Sequence, residues 1–183
     1  MTETNPKLKT DEIAQTTAGL PARQLSVGQQ VFGLVAWLVL CFGASAIGSA
    51  FTMSEIGGWY KTLEKPSFNP PNWIFGPVWS LLFFMMALAA WLVWRRFGFA
   101  GAKVALTVFV VQLIANMMWS ILFFGLHSPS LAFYEICLLW VLIAATIVLF
   151  WKKSRPASGL LIPYLAWVTL ASVLNFWIWQ LNG

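Results

Sequence analysis

The sequence predicts an all-α integral membrane protein, a bundle of five transmembrane helices with a long structured loop between the first and the second. Three observations predict it. Only 9% of the 183 residues are charged and 60% are apolar, whereas a soluble domain is roughly a quarter charged. So few charges cannot clothe a water-facing surface, so a soluble globule and a disordered chain are both excluded. Five apolar runs of about 20 or more residues follow one another, the length a helix needs to cross about 30 Å of hydrocarbon. The runs lack the alternating polarity of membrane β-strands, which are about half as long.

Residues 1–26 are polar and Thr-rich, carry Pro6, Gly19 and Pro21, and contain no apolar signal-peptide core. They read as a mobile tail ahead of a transmembrane domain over 27–183. The first span is expected at 27–51. Residues 52–73 hold Gly57, Gly58, Pro66, Pro70 and Pro71; Pro removes a backbone donor and disfavours helix before it, so this stretch reads as a structured loop. The second span, 75–94, is stopped by Arg95 and Arg96, and the third, 104–126, by His127, Ser128 and Pro129. The fourth, 131–151, is stopped by Lys152 and Lys153, and the fifth, 159–181, reaches the last residues.

Charge placement sets the orientation. With five spans, the tail and the second and fourth connections share one side. They carry Lys7, Lys9, Arg23, Arg95, Arg96, Lys103, Lys152, Lys153 and Arg155, against Lys61 and Lys65 on the other. The bias predicts a cytoplasmic N-terminus and an outside C-terminus, in a bacterial cell membrane. It also accounts for the net charge of +5 without nucleic acid as a partner. Trp94, Trp151, Trp177 and Trp179 fall at span ends and read as interface anchors.

Several chemistries are excluded. No Lys or Arg lies within a span core to carry a retinal-type Schiff base, and one histidine cannot make a bis-His haem site. Cys41 and Cys137 are too few for a zinc site or a disulfide framework. No phosphate loop, metal cluster or nucleophile-base pair appears, so no catalytic residue is assigned and no cofactor is required. Glu135, about one turn inside the outer end of the fourth span, is an acid that reaches water, pairs with a donor or has a function.

The convergent set is polar and aromatic. Gln112, Asn116, Trp119 and Phe123 follow at spacings of four, three and four, which places them on one helix face. Amides in hydrocarbon are costly unless paired or facing a cavity, so this face is either an interhelical clamp or a ligand wall. Tyr164, Trp167, Ala171 and Asn175 repeat the spacing on the fifth span, and Trp79 and Phe83 begin the second. Trp79, Asn116, Trp119, Ala171 and Asn175 lie from mid-bilayer outward, on the same side as the loop with Trp59 and Tyr60. A Pro-rich lid over an aromatic pocket is the binding-site picture this implies. On the first span, small residues from Gly43 to Ala50 allow close helix packing, within the bundle or across a homodimer seam.

These residues resemble the translocator protein family (TspO/MBR, the tryptophan-rich sensory proteins and peripheral-type benzodiazepine receptors). The resemblance rests on Trp59 and Tyr60, the run Leu63, Glu64, Lys65 and Pro66, and the segment from Pro70 and Pro71 through Asn72, Trp73 and Pro77 to Trp79. It continues through Gln112, Asn116 and Trp119, Phe123 to Gly125, Pro163 to Trp167, and Leu174 with Asn175. It spans about residues 30 to 182. It implies a five-helix bundle that binds tetrapyrroles, sterol-like lipids and aromatic drugs, with Trp59, Tyr60, Trp79, Gln112, Asn116, Trp167 and Ala171 in the pocket. Together with Phe83 and Trp119 these are the expected ligand-binding residues.

Three features depart from the family pattern. Phe68 stands where Trp is frequent and Phe83 where Tyr is common. Phe176 and Gln180 replace the aromatic hydroxyl and basic residue of the mammalian sterol-recognition stretch, which makes a porphyrin such as protoporphyrin IX the expected ligand over cholesterol. The implied function is a membrane receptor or sensor for tetrapyrroles, with a role in porphyrin handling, transport or stress regulation. The alternatives are a light- and oxygen-dependent porphyrin-degrading catalyst and a transporter of sterol-like lipids. The expected partners are the bilayer and a porphyrin or other flat apolar ligand.

Overall fold

The computed structural model describes residues 25–183; the tail expected over 1–26 falls almost wholly outside the described residues. Helix α1 spans Val27–Ile56. It starts at a reciprocal cap: Gln29 N donates to Ser26 Oγ at 3.2 Å and Ser26 N donates to Gln29 Oε1 at 3.1 Å. It runs five residues past the expected end, because Thr52 and Ser54 return their hydroxyls to the carbonyls of Gly48 and Phe51 and so carry no unpaired polar group. It stops at Gly57. The loop then contains a one-turn helix, α2 (Trp59–Thr62), and a 3-10 turn at Asn72–Ile74.

Helix α3 spans Phe75–Gly101 and passes through the two arginines that were expected to end it. Arg95 lies 4.4 Å over the Trp91 ring and Arg96 5.5 Å from Phe97, so both charges sit on aromatic faces at the end of the span. The break comes at Gly98, whose φ of 64° glycine adopts without strain. Helix α4 (Lys103–Ser120) continues into a wide π-turn at Ile121–Gly125, closed by Leu126 N donating to Ile121 O at 2.8 Å. Helix α5 is Pro129–Trp151, with proline in its first turn, where no helical donor is lost. The fifth span is divided: a short α6 (Arg155–Gly159) precedes α7 (Ile162–Asn182).

Five of these helical segments are long and apolar enough to cross a bilayer. Their outward faces carry Val39, Leu81, Val111, Val141 and Val173, all exposed, as lipid contact requires. The chain is an integral membrane protein with a five-helix bundle. Helix α1 packs on α3 and α4, α4 on α5, and α5 on α7, while α3 and α7 barely approach. Phe109, Phe150, Met86, Ile136 and Ile143 fill the interior. Trp91 Nε1 donates to Gln30 O at 2.9 Å and ties the start of α1 to the end of α3.

Candidate functional site

Where α3 and α7 diverge, a cavity of about 520 Å³ opens beneath the lid, within the size range of cofactor and drug sites. Each wall follows from local sequence. The α3 wall is Phe75, Gly76, Trp79, Ser80 and Phe83, the first two turns after the 3-10 turn. The α4 wall is Asn116, Trp119, Ser120, Phe123 and Phe124. Phe123 and Phe124, both in the π-turn, line the cavity with their rings 4.8 Å apart and edge to face. The α7 wall is Trp167, Ala171, Leu174, Asn175 and Ile178, one helical face.

The amides of α4 and α7 are clamped by hydrogen bonds. Asn116 Nδ2 donates to Tyr164 Oη at 2.9 Å, and the Tyr164 hydroxyl donates to Gln112 Oε1 at 3.0 Å. Trp119 Nε1 donates to Asn175 Oδ1 at 2.9 Å, and Asn175 Nδ2 donates to Pro129 O at 2.7 Å. The two readings of this face therefore combine: Asn116 and Trp119 line the cavity and also tie helices together. Gln112 lies behind the wall, buried, with Met86 Sδ 3.9 Å from its Nε2. Trp167 lines the cavity and packs edge-on to Phe75 at 5.7 Å. Its indole N–H is closed off and has no acceptor among the described residues.

The lid is fastened at both ends. Asn182, at the end of α7, exchanges two hydrogen bonds with the Glu64 backbone, at 3.0 and 2.9 Å. On the other side Trp59 stacks on His127 at 4.3 Å, and His127 Nε2 meets Glu55 Oε2 at 3.1 Å. Tyr60 is buried under the lid and donates to Asn69 Oδ1 at 3.3 Å. Burial pushes its phenol above the usual range, with the Asn69 contact opposing, so it stays neutral. Lys65 lies 4.7 Å over the Tyr60 ring and donates to Leu63 O at 2.8 Å. Burial lowers its pKa.

Of the nine expected residues, Tyr60, Trp79, Phe83, Asn116, Trp119, Trp167 and Ala171 meet at the cavity. Gln112 and Trp59 do not reach its surface. The first is spent on Tyr164, and the second on His127 and Phe123, 5.7 Å away. The residues that sequence reasoning missed include Phe124 on the π-turn and, on α1, Ala44, Ser45, Gly48, Ser49 and Thr52. All of the α1 residues but Thr52, which was expected in the loop, belong to the small-residue stripe read as packing, and its hydroxyls were the available signal. Gly48 does pack closely: a Cβ there would meet Ser120 Oγ at 3.1 Å. Glu135 is outside the cavity. Its carboxylate is closed off and has no donor among the described residues, so it neither reaches water nor pairs.

The TspO/MBR family model matches residues 35–180. The tryptophan-rich protein TspO of Chlorobaculum tepidum is 42% identical over 160 residues, covering 85% of this chain and 99% of that protein. The protein of the same name from Archaeoglobus fulgidus is 41% identical over 153 residues, covering 84% and 99%. The human translocator protein is 38% identical over 138 residues, covering 74% and 82%. With a five-helix bundle, an aromatic cavity under a lid and these relatives over most of its length, the chain belongs to the TspO/MBR family.

Proposed function

We propose that the protein is a membrane receptor or sensor that binds a tetrapyrrole such as protoporphyrin IX in the cavity beneath the lid. The observation that carries this reading is the cavity's lining: Trp79, Phe83, Trp119, Phe123 and Trp167 present rings from three helices around about 520 Å³. A flat macrocycle gains burial and offset stacking against such walls, roughly 0.5–1.5 kcal/mol per ring pair beyond area. Lys61 and Lys65 at the lid offer counter-charges for its carboxylates. A relative at 35% identity, from Cereibacter sphaeroides, is named a tryptophan-rich sensory protein, which accords with a sensing role.

The test is quenching of tryptophan fluorescence by protoporphyrin IX. We expect micromolar or tighter affinity for the parent and about tenfold weaker binding for Trp79→Ala, which removes one stacking wall and its burial. Overlaying titrations of the two proteins would refute the pocket.

A second reading is favoured by the three helix-borne indoles on the wall, Trp79, Trp119 and Trp167, with Trp73 of the 3-10 turn at its edge. They place oxidisable rings beside a photosensitiser, so light and oxygen could degrade the bound porphyrin. No acid-base pair lines the cavity to run a thermal reaction. Loss of porphyrin absorbance should then require illumination and oxygen, and fall in Trp79→Phe or Trp167→Phe. Steady turnover in the dark that Glu135→Gln abolishes would overturn this reading.

A further inference from the structure

The polar side chains that α1 and α4 bring to the cavity are Ser45, Ser49, Thr52, Asn116, Trp119 and Ser120. Thr52 is spent on the Gly48 carbonyl, at 3.1 Å, and Trp119 on Asn175. Ser49 is exposed. The other three keep open capacity. Asn116 gives its Nδ2 to Tyr164, but its Oδ1 accepts no hydrogen bond from a described residue and is not closed off. Asn116 is buried within the bundle, so the space its oxygen meets is the cavity it lines. The half-buried Ser45 and Ser120 hydroxyls are also accessible and bond no described residue. Neither returns its hydroxyl to its own helix as Thr52 does.

These three residues fall together. Helices α1 and α4 both run toward the lid end, so they are parallel. They meet at Gly48, where a Cβ would lie 3.1 Å from Ser120 Oγ, and again further out, where a Cβ on Gly125 would lie 2.9 Å from Phe51. One turn inward from the first contact stand Ser45 on α1 and Asn116 on α4. Three residues rise about 4.5 Å and four about 6 Å, so the two share a depth. The deepest lining residues of the four walls are Ala44 with Ser45, Phe83, Asn116 and Trp167. Ser45 and Asn116 therefore belong to the cavity floor, with Ser120 one turn above. An amide oxygen is an acceptor only, whereas a hydroxyl both donates and accepts. Left unpaired beneath an apolar guest, the Asn116 oxygen would lose its hydration without return.

We propose that the floor formed by Ser45, Asn116 and Ser120 recognises a hydrogen-bond donor on the buried edge of the ligand. The inference rests on the tetrapyrrole reading above and narrows it. With the carboxylates held near Lys61 and Lys65 at the lid, the edge that reaches the floor is the one opposite them. The class selected is a dicarboxylic tetrapyrrole with hydroxyl groups on that far edge. Such a hydroxyl donates to Asn116 Oδ1 and accepts from Ser45 or Ser120.

Haematoporphyrin IX and mesoporphyrin IX test this. Both carry propionates on one edge; on the opposite edge the first has hydroxyethyl groups where the second has ethyl groups. Tryptophan quenching gives both dissociation constants for the full chain in detergent. We expect the preference for haematoporphyrin, expressed as the ratio of the two constants, to fall about fivefold from the parent to Ser45→Ala with Ser120→Ala. Partitioning of each porphyrin into detergent is the same for both proteins and cancels. Thr52→Val removes a hydroxyl already spent within α1 and should leave the ratio in place. An unchanged ratio in the double variant would overturn the proposal, as would an equal loss of both ligands or the same fall in Thr52→Val. If neither porphyrin quenches the parent, the tetrapyrrole reading itself fails, an outcome distinct from a ratio that does not move.

Discussion

Gly33 owes its identity to Trp94. A Cβ built on it would lie 2.0 Å from a carbon of the Trp94 ring, so the indole occupies the space a side chain would take. Gly33→Ala should therefore force the ring aside and cost about 1–3 kcal/mol, the range for overpacking, read as a lower melting temperature in detergent. Asn175 matters for a different reason. Its two ends serve Trp119 and the Pro129 carbonyl on separate helices, so one truncation orphans both. Asn175→Leu should cost about 1–3 kcal/mol through the unpaired buried donor and acceptor. It should lower stability more than Thr169→Val, which removes the acceptor from the exposed Trp140 indole. Equal melting temperatures for the two variants would contradict this ranking.

Among the elements, the lid is the one whose fastening can be tested separately from the bundle. Asn182 reaches back from the end of α7 to hold Glu64, and its Nδ2 also donates to the Ile178 carbonyl one turn earlier. Asn182→Ala should speed release of bound protoporphyrin by about two- to tenfold, measured by stopped-flow displacement, and leave the melting temperature nearly unchanged. The spans were legible because hydrocarbon demands long apolar runs, and little else satisfies that demand. Their ends were less so. Arg95 and Arg96 read as stops, yet the helix continues, because cation-aromatic contacts are made between residues and composition does not record them. The spacing of Asn116, Trp119 and Phe123 located one wall. Phe124 escaped because that spacing follows a single row of the face, whereas the cavity is wide enough to reach its neighbour. Gln112 shares the face but not the cavity, since only the fold shows that Tyr164 claims it.

At the scale of the whole molecule, the placement of the cations predicts an orientation, with the lid outside, that labelling can test. In a protein with Cys41 and Cys137 replaced, single thiols at Ser67 and Ser154 should label from opposite sides of intact cells, with position 67 reached from outside. Labelling of position 154 alone from outside would invert the topology. The α1 wall has a different consequence for the molecule as a whole. Ala44, Ser45, Gly48 and Ser49 enlarge the cavity by what they lack, while the hydrogen-bonded clamps run among α4, α5 and α7. Capacity and cohesion are therefore written on different helices. A bulkier residue at Ser45 or Ser49 subtracts volume from the guest without loosening the frame, so the size of what is admitted can drift along one face while the scaffold keeps its shape.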